Sequence, residues 1–110
     1  MDRLITLGQL LDWYGTFLTE RQRSLVRQYA YEDCSLTEIA ERESVSRQAV
    51  RDAISRAERE LSNMEQKLHL IQKHTDMQKL LTQMQEMTDD PALRDKIMEL
   101  TTILEDDDGV

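Results

Sequence analysis

Proline and glycine are scarce in this chain, with one and three among 110 residues. So few breakers, alongside 33% charged residues and a dominance of Ala, Leu, Glu, Arg, Gln and Met, describe a helical, soluble chain. No stretch alternates apolar and polar residues at period two for long enough to form a strand, so an all-α fold class is expected. The single cysteine, Cys34, excludes an intramolecular disulfide and with it a secreted disulfide scaffold. Long hydrophobic runs are missing too. Nothing approaches roughly 18 continuous apolar residues, which argues against a transmembrane helix and against membrane insertion. The apolar-rich start, Leu4 to Leu18, is interrupted by Thr6, Gln9 and Asp12, so it reads as amphipathic and not as a signal peptide. A cytoplasmic protein is expected.

The residues of common active sites are also wanting. His69 and His74 stand five apart, about 140° around a helix, and make no ligand pair. There is no glycine-rich phosphate loop and no Cys-His metal spacing, and Cys34 has no neighbour to activate a thiolate. No enzyme, cofactor, metal site or small-molecule substrate is expected.

Positive charge is in deficit, at net −8, which speaks against a simple nucleic-acid binder. The distribution is uneven, however. Residues 1–18 and residues 19–60 each carry net −1, and residues 61–110 carry −6. Every basic residue of the middle stretch is arginine, the side chain suited to bidentate phosphate and base contacts. All but one in the last stretch are lysine.

The middle stretch holds the most specific pattern, SLTEIAERESVSRQAVRDAISRA from Ser35 to Ala57. Ser35 with Glu38 three residues later makes a capping box ahead of a short helix bearing Ile39 and Ala40. Glu43-Ser44 interrupts it, Val45 is apolar, and Ser46 caps a second helix. There Ala49, Val50, Ala53, Ile54 and Ala57 recur at three and four as an inward stripe, while Arg47, Gln48, Arg51, Asp52, Ser55 and Arg56 point outward. Small residues at Ala40, Ala49 and Ala53 permit close crossing of the two helices. This is the layout of a helix-turn-helix, against the simpler reading of two packed helices. Its turn lacks the glycine that many such motifs carry.

Around the motif, a first amphipathic helix lines up Leu4, Leu7, Leu11, Tyr14 and Leu18, widened by Leu10 and Phe17. Gly8 and Gly15 share nearly one face, as close-contact positions or as tolerated surface glycines. Thr19 with Gln22 caps a helix that turns Leu25, Val26 and Tyr29 inward and Arg21, Arg23 and Arg27 outward. Beyond the motif, Leu61, Met64, Leu68 and Ile71 prolong the second motif helix as a seam. Thr75 caps a fresh helix, and Asp90-Pro91 opens a last one. The expected helices are 3–17, 20–31, 36–42, 47–73, 76–88 and 91–105. Two parts follow: residues 1–60 with the helix-turn-helix at about 35–57, and residues 61–110 as a helical extension ending in an acidic tail, Glu105 to Val110.

The run from Leu18 to Ile54, with LLDWYGTFL before it and AERELSNMEQKL after it, resembles the YlxM family of helix-turn-helix proteins. The motif itself is similar to region 4 of sigma-70-type sigma factors. Two positions depart from the family pattern, Arg51 where an aromatic is usual and Ser55 where a lysine is. The resemblance implies a cytoplasmic regulatory or accessory protein of the signal recognition particle pathway. Its partners would be the particle's RNA and its GTPase. A DNA-binding transcriptional regulator using duplex DNA, and a protein-interaction adaptor working through the acidic C-terminal helices, are the alternatives. A homodimer is expected, because the wide apolar face of the first helix and the 61–71 seam have no obvious mates. The nucleic-acid-binding residues expected are Ser46, Arg47, Gln48, Arg51, Ser55 and Arg56, with Arg21, Arg23 and Arg27 adding backbone contacts.

Overall fold

The computed structural model describes residues 2–105. They form six α-helices and one 3-10 turn, with no strand among the described residues. The helices are α1 (Arg3–Tyr14), α2 (Glu20–Ala30), α3 (Leu36–Glu43), α4 (Arg47–Leu68), α5 (Leu70–Met87) and α6 (Pro91–Glu105). The 3-10 turn, Gly15–Phe17, follows α1 directly. The expected all-α fold is thus present. The tail read beyond Glu105 lies outside the described residues.

The chain divides by contact into a unit ending at Leu68 and a unit beginning at His69. In the first, α1 and α2 pack on each other and both pack on α4, while α3 is held between α2 and α4. Its core is Leu7, Leu10, Leu11 and Tyr14 of α1, then Leu18, Leu25, Val26, Ile39, Ala40, Val50, Ile54, Ala57 and Leu61. The α1 face is narrower than its sequence suggests: Leu4 is half-buried, and Phe17, in the 3-10 turn, is 67% exposed. The tighter winding of that turn carries Phe17 off the apolar stripe. Ala49 also departs from expectation. The buried stripe of α4 runs Val50, Ile54, Ala57, Leu61, and Ala49 lies on its exposed shoulder.

Both capping boxes form. Thr19 Oγ1 accepts from the Gln22 amide at 3.1 Å, and the Gln22 side chain accepts from the Thr19 amide at 2.9 Å. Ser35 Oγ accepts from the Glu38 amide at 3.0 Å, and Glu38 Oε1 accepts from the Ser35 amide at 2.8 Å. The Ser35 amide and hydroxyl hold the Glu38 carboxyl below its ordinary value, with Arg42 adding to the effect. A lowered value in the folded state means that the unfolded chain takes up the proton first. The contribution of this cap is complete above the ordinary value of 4.5 and is lost as pH falls below it. Glu38→Gln keeps the acceptor but not the titration. The stability gap between wild type and Glu38→Gln is therefore expected to be constant above 4.5 and to narrow as pH falls below it. Urea melts on both sides of that value measure it, and a gap independent of pH would refute it.

Gly8 and Gly15 are buried. The Tyr31 ring lies over Gly8, where an added Cβ would meet Cε1 at 3.2 Å. The Tyr31 hydroxyl donates to the Gly8 carbonyl at 2.8 Å and also contacts Asp12. Burial, and then Asp12, push the Tyr31 hydroxyl above its ordinary range, so it stays a donor at any ordinary pH. Gly8 therefore serves a close approach within the chain, tying α1 to the segment after α2.

The second unit is a helical hairpin in which α5 packs on α6. Asp90 caps α6 through the Ala92 amide at 3.1 Å, with Pro91 first in the helix. The break before α5 falls elsewhere than expected. His69 takes the left-handed conformation (φ 55°) and ends α4 at Leu68, and α5 runs from Leu70 straight through Thr75. Histidine, like Asn and Asp, tolerates that region better than most side chains. Only Leu81 and Ile97 of the apolar residues read in this unit are buried. Met77, Leu80, Met84, Met87, Leu93 and Leu100 are exposed. No helix among the described residues is long and apolar enough to cross a membrane.

Candidate nucleic-acid interface

The turn between α3 and α4 fixes what α4 can present. Ser44 takes the left-handed conformation (φ 57°, ψ 43°). Its amide donates to the Glu41 carbonyl at 3.4 Å, and the Val45 amide donates to the Ala40 carbonyl at 3.1 Å. These two bonds form a Schellman ending, built here without glycine. Ser46 then caps α4, its hydroxyl accepting from the Ala49 amide at 3.0 Å while its carbonyl accepts from Val50 at 3.2 Å. The chain thus turns and restarts in three residues, Ser44 to Ser46, between two capped helices.

A polar clamp sets α3 against α2. Gln28 is only 5% exposed. Its Oε1 accepts from Arg42 Nη1 at 2.9 Å, and its Nε2 lies 3.3 Å from both Ser24 Oγ and Glu43 Oε2. Arg42 also reaches Glu32 at 3.5 Å. A buried amide satisfied at both ends fixes orientation in a way that apolar packing alone does not. Sequence patterning missed Gln28, because nothing local marks it off from a surface glutamine.

The residues expected to touch nucleic acid fall into three groups. Arg47, Arg51 and Ser55 follow one another at one-turn spacing along α4. They line a depression of about 380 Å³ whose other walls are Arg3 of α1, Tyr29 of α2, and Leu36 and Ile54. Gln48 lies on the neighbouring row, where its amide donates to Asp52 at 2.9 Å. Ser46 is engaged in the cap, and Arg56 lines neither this depression nor the next. Arg21, Arg23 and Arg27 line a second, larger and more open depression with Glu20, Ser24 and Glu43. The arginines are therefore not one continuous face. One cluster contains no acid among its lining residues, and the other contains two.

Four lining residues of the first depression lay outside the expected site: Leu36 and Ile54, which are apolar, and Tyr29 and Arg3, which bear polar groups. Tyr29, read as inward-facing, is half-buried at its wall. Arg3 arrives from the opposite end of the chain. Its Nη2 and Nε pair with the Glu58 carboxylate at 2.6 and 3.3 Å, and its guanidinium stands 5.9 Å from the centre of the Tyr29 ring. Neither has a sequence signal at short range. The packing of α1 and α2 on α4 brings them there.

Helices alone, with a capped α3, a three-residue turn and a longer capped α4, define an all-α protein of the helix-turn-helix class. A family model described as "UPF0122: Putative helix-turn-helix protein, YlxM / p13 like" matches residues 1–101. The chain belongs to this family, as the resemblance over Leu18 to Ile54 implies. It is 48% identical over 83 residues to a UPF0122 protein of Symbiobacterium thermophilum, spanning 76% of this chain and 78% of that one. A UPF0122 protein of Halalkalibacterium halodurans is 39% identical over 105 residues, 96% of each chain. One of Desulforamulus reducens is 46% identical over 83 residues, 76% of this chain and 71% of its own.

Proposed function

We propose that this protein binds nucleic acid through the Arg47–Arg51–Ser55 row of α4, as a regulatory or accessory protein of the signal recognition particle pathway. The observation that carries the reading is the depression along which that row runs, whose lining residues include three arginines and no acid. The net charge of −8 opposes binding at long range. At about 0.15 M salt such repulsion is screened beyond roughly 8 Å, so a local arginine row still attracts phosphate. The resemblance to YlxM proteins makes RNA of the particle the ligand to test first, with duplex DNA as the alternative. The pathway's GTPase is the protein partner to test beside it. Arg47→Ala with Arg51→Ala is expected to weaken binding of an RNA hairpin about tenfold at ~50 mM salt and to lower the salt slope by roughly two. Lys79→Ala with Lys96→Ala, in the second unit, should leave both unchanged. Fluorescence anisotropy measures this. Equal binding by wild type and the arginine double variant, or none by either to RNA and DNA alike, would refute the reading.

A cytoplasmic homodimer belongs to the same proposal. Its support is the number of large apolar side chains left exposed on the hairpin, among them Met84, Met87 and Leu100. Light scattering at some tens of micromolar (about the range in which weak dimers form) should give twice the chain mass.

A further inference from the structure

The geometry points to Arg3 as a third phosphate-binding arginine of the α4 depression, with Glu58 as the residue that positions it. The inference rests on the nucleic-acid reading above and goes further by adding a contact from α1, outside the helix-turn-helix. Arg3, Arg47 and Arg51 all line one depression, and no carboxylate is among its lining residues. Glu58 grips Arg3 by one edge only, at Nη2 and Nε. That side-on pairing leaves the Nη1 side of the planar fork directed away from Glu58, and a guanidinium has five N–H donors to distribute. The Tyr29 ring lies under the same guanidinium at 5.9 Å. A carboxylate on one edge and a ring below hold a long side chain in one orientation. Less conformational freedom is then lost when a phosphate arrives. The Arg3 and Glu58 side chains are 55% and 27% exposed, so the pair stands at the surface, where a ligand reaches it.

Net charge and positioning make opposite predictions for Glu58, which makes the assignment testable. Glu58→Gln removes a negative charge beside the site. If Glu58 acted only through its charge, binding of a phosphate backbone would tighten. As a positioning residue, Glu58→Gln weakens binding two- to threefold. The experiment is a salt titration of a fluorescein-labelled RNA hairpin, followed by anisotropy, with the full chain and the variants Arg3→Ala, Arg3→Lys, Glu58→Gln and Arg47→Ala. Thermal melts check that each is folded. Arg3→Ala is expected to weaken binding about five- to tenfold and to lower the salt slope by about one. Arg3→Lys keeps the charge without the fork and should fall between Arg3→Ala and wild type. Glu58→Gln should have no weakening effect in the Arg3→Ala background. Wild-type affinity for Arg3→Ala beside weakened binding by Arg47→Ala would overturn this assignment and leave the broader reading standing. Tighter binding by Glu58→Gln would overturn the positioning role. Absence of binding by wild type itself would overturn both.

Discussion

Replacing Ile39 by alanine is expected to destabilise the first unit by about 3–4 kcal/mol, because it removes three methyl or methylene groups from a side chain with no exposed surface. The position matters beyond its volume. α3 has eight residues, too few to hold a helix in water without tertiary contacts. Its only buried side chains are Ile39 and Ala40. A cavity at Ile39 therefore loosens the one apolar anchor that seats α3 between α2 and α4. For a unit of this size each kcal/mol shifts the melting point by about 4–8 °C, so a fall on the order of 15–20 °C should appear in far-UV circular dichroism. Arg59→Ala, at an exposed side chain of the same unit, should change it little. A shift at Ile39 no larger than that at Arg59 would show that α3 is not anchored there.

Gln28→Ala is expected to cost about 2–3 kcal/mol, more than the burial of its short apolar stem explains. The substitution removes the partner of Glu43 Oε2 and the shorter of two contacts of Arg42 Nη1, which keeps Glu32 at 3.5 Å. Hydrogen bonds to charged groups contribute about 1.5–3 kcal/mol, and water replaces some of that loss because the Arg42 side chain is 53% exposed. Gln28→Met, which keeps the length and drops both polar ends, should recover about 1 kcal/mol through packing and no more. Urea denaturation reads both variants as a fall in midpoint at constant slope. If Gln28→Met matched wild type, the clamp would be a packing contact with incidental polarity.

How far the sequence could be read depended on how far apart along the chain the cooperating residues lie. The boxes Thr19–Gln22 and Ser35–Glu38 and the Asp90–Pro91 start are spelled within three residues, and each stands where the pattern puts it. The helix-turn-helix was legible for the same reason. The break at His69 was not, because Leu61, Met64, Leu68 and Ile71 keep a helical period across it, while Thr75 with Gln78 imitates a cap inside α5. The α3 partners of Gln28 lie 14 and 15 residues away, and Arg3 meets Glu58 across 55. Packing of separate helices creates such pairs, and no periodicity within one helix encodes them.

Among the described residues, glycine works as a spacer and not as a swivel. The described backbone enters the left-handed region at Asp33, Ser44 and His69, and glycine occupies none of these joints. Meanwhile Gly8 and Gly15 sit where a Cβ would press on Tyr31 at 3.2 Å and Leu11 at 3.0 Å. The usual engineering recipe for thermostability, alanine for glycine in helices, would here spend its edits on the two places with least room. The opposite edit has more to offer. A left-handed joint built on an ordinary side chain carries a penalty of about 1 kcal/mol that glycine does not. Ser44 is such a joint, exposed and with only its backbone engaged in the turn. For a protein designer, the reserve of stability in this fold lies in adding a glycine.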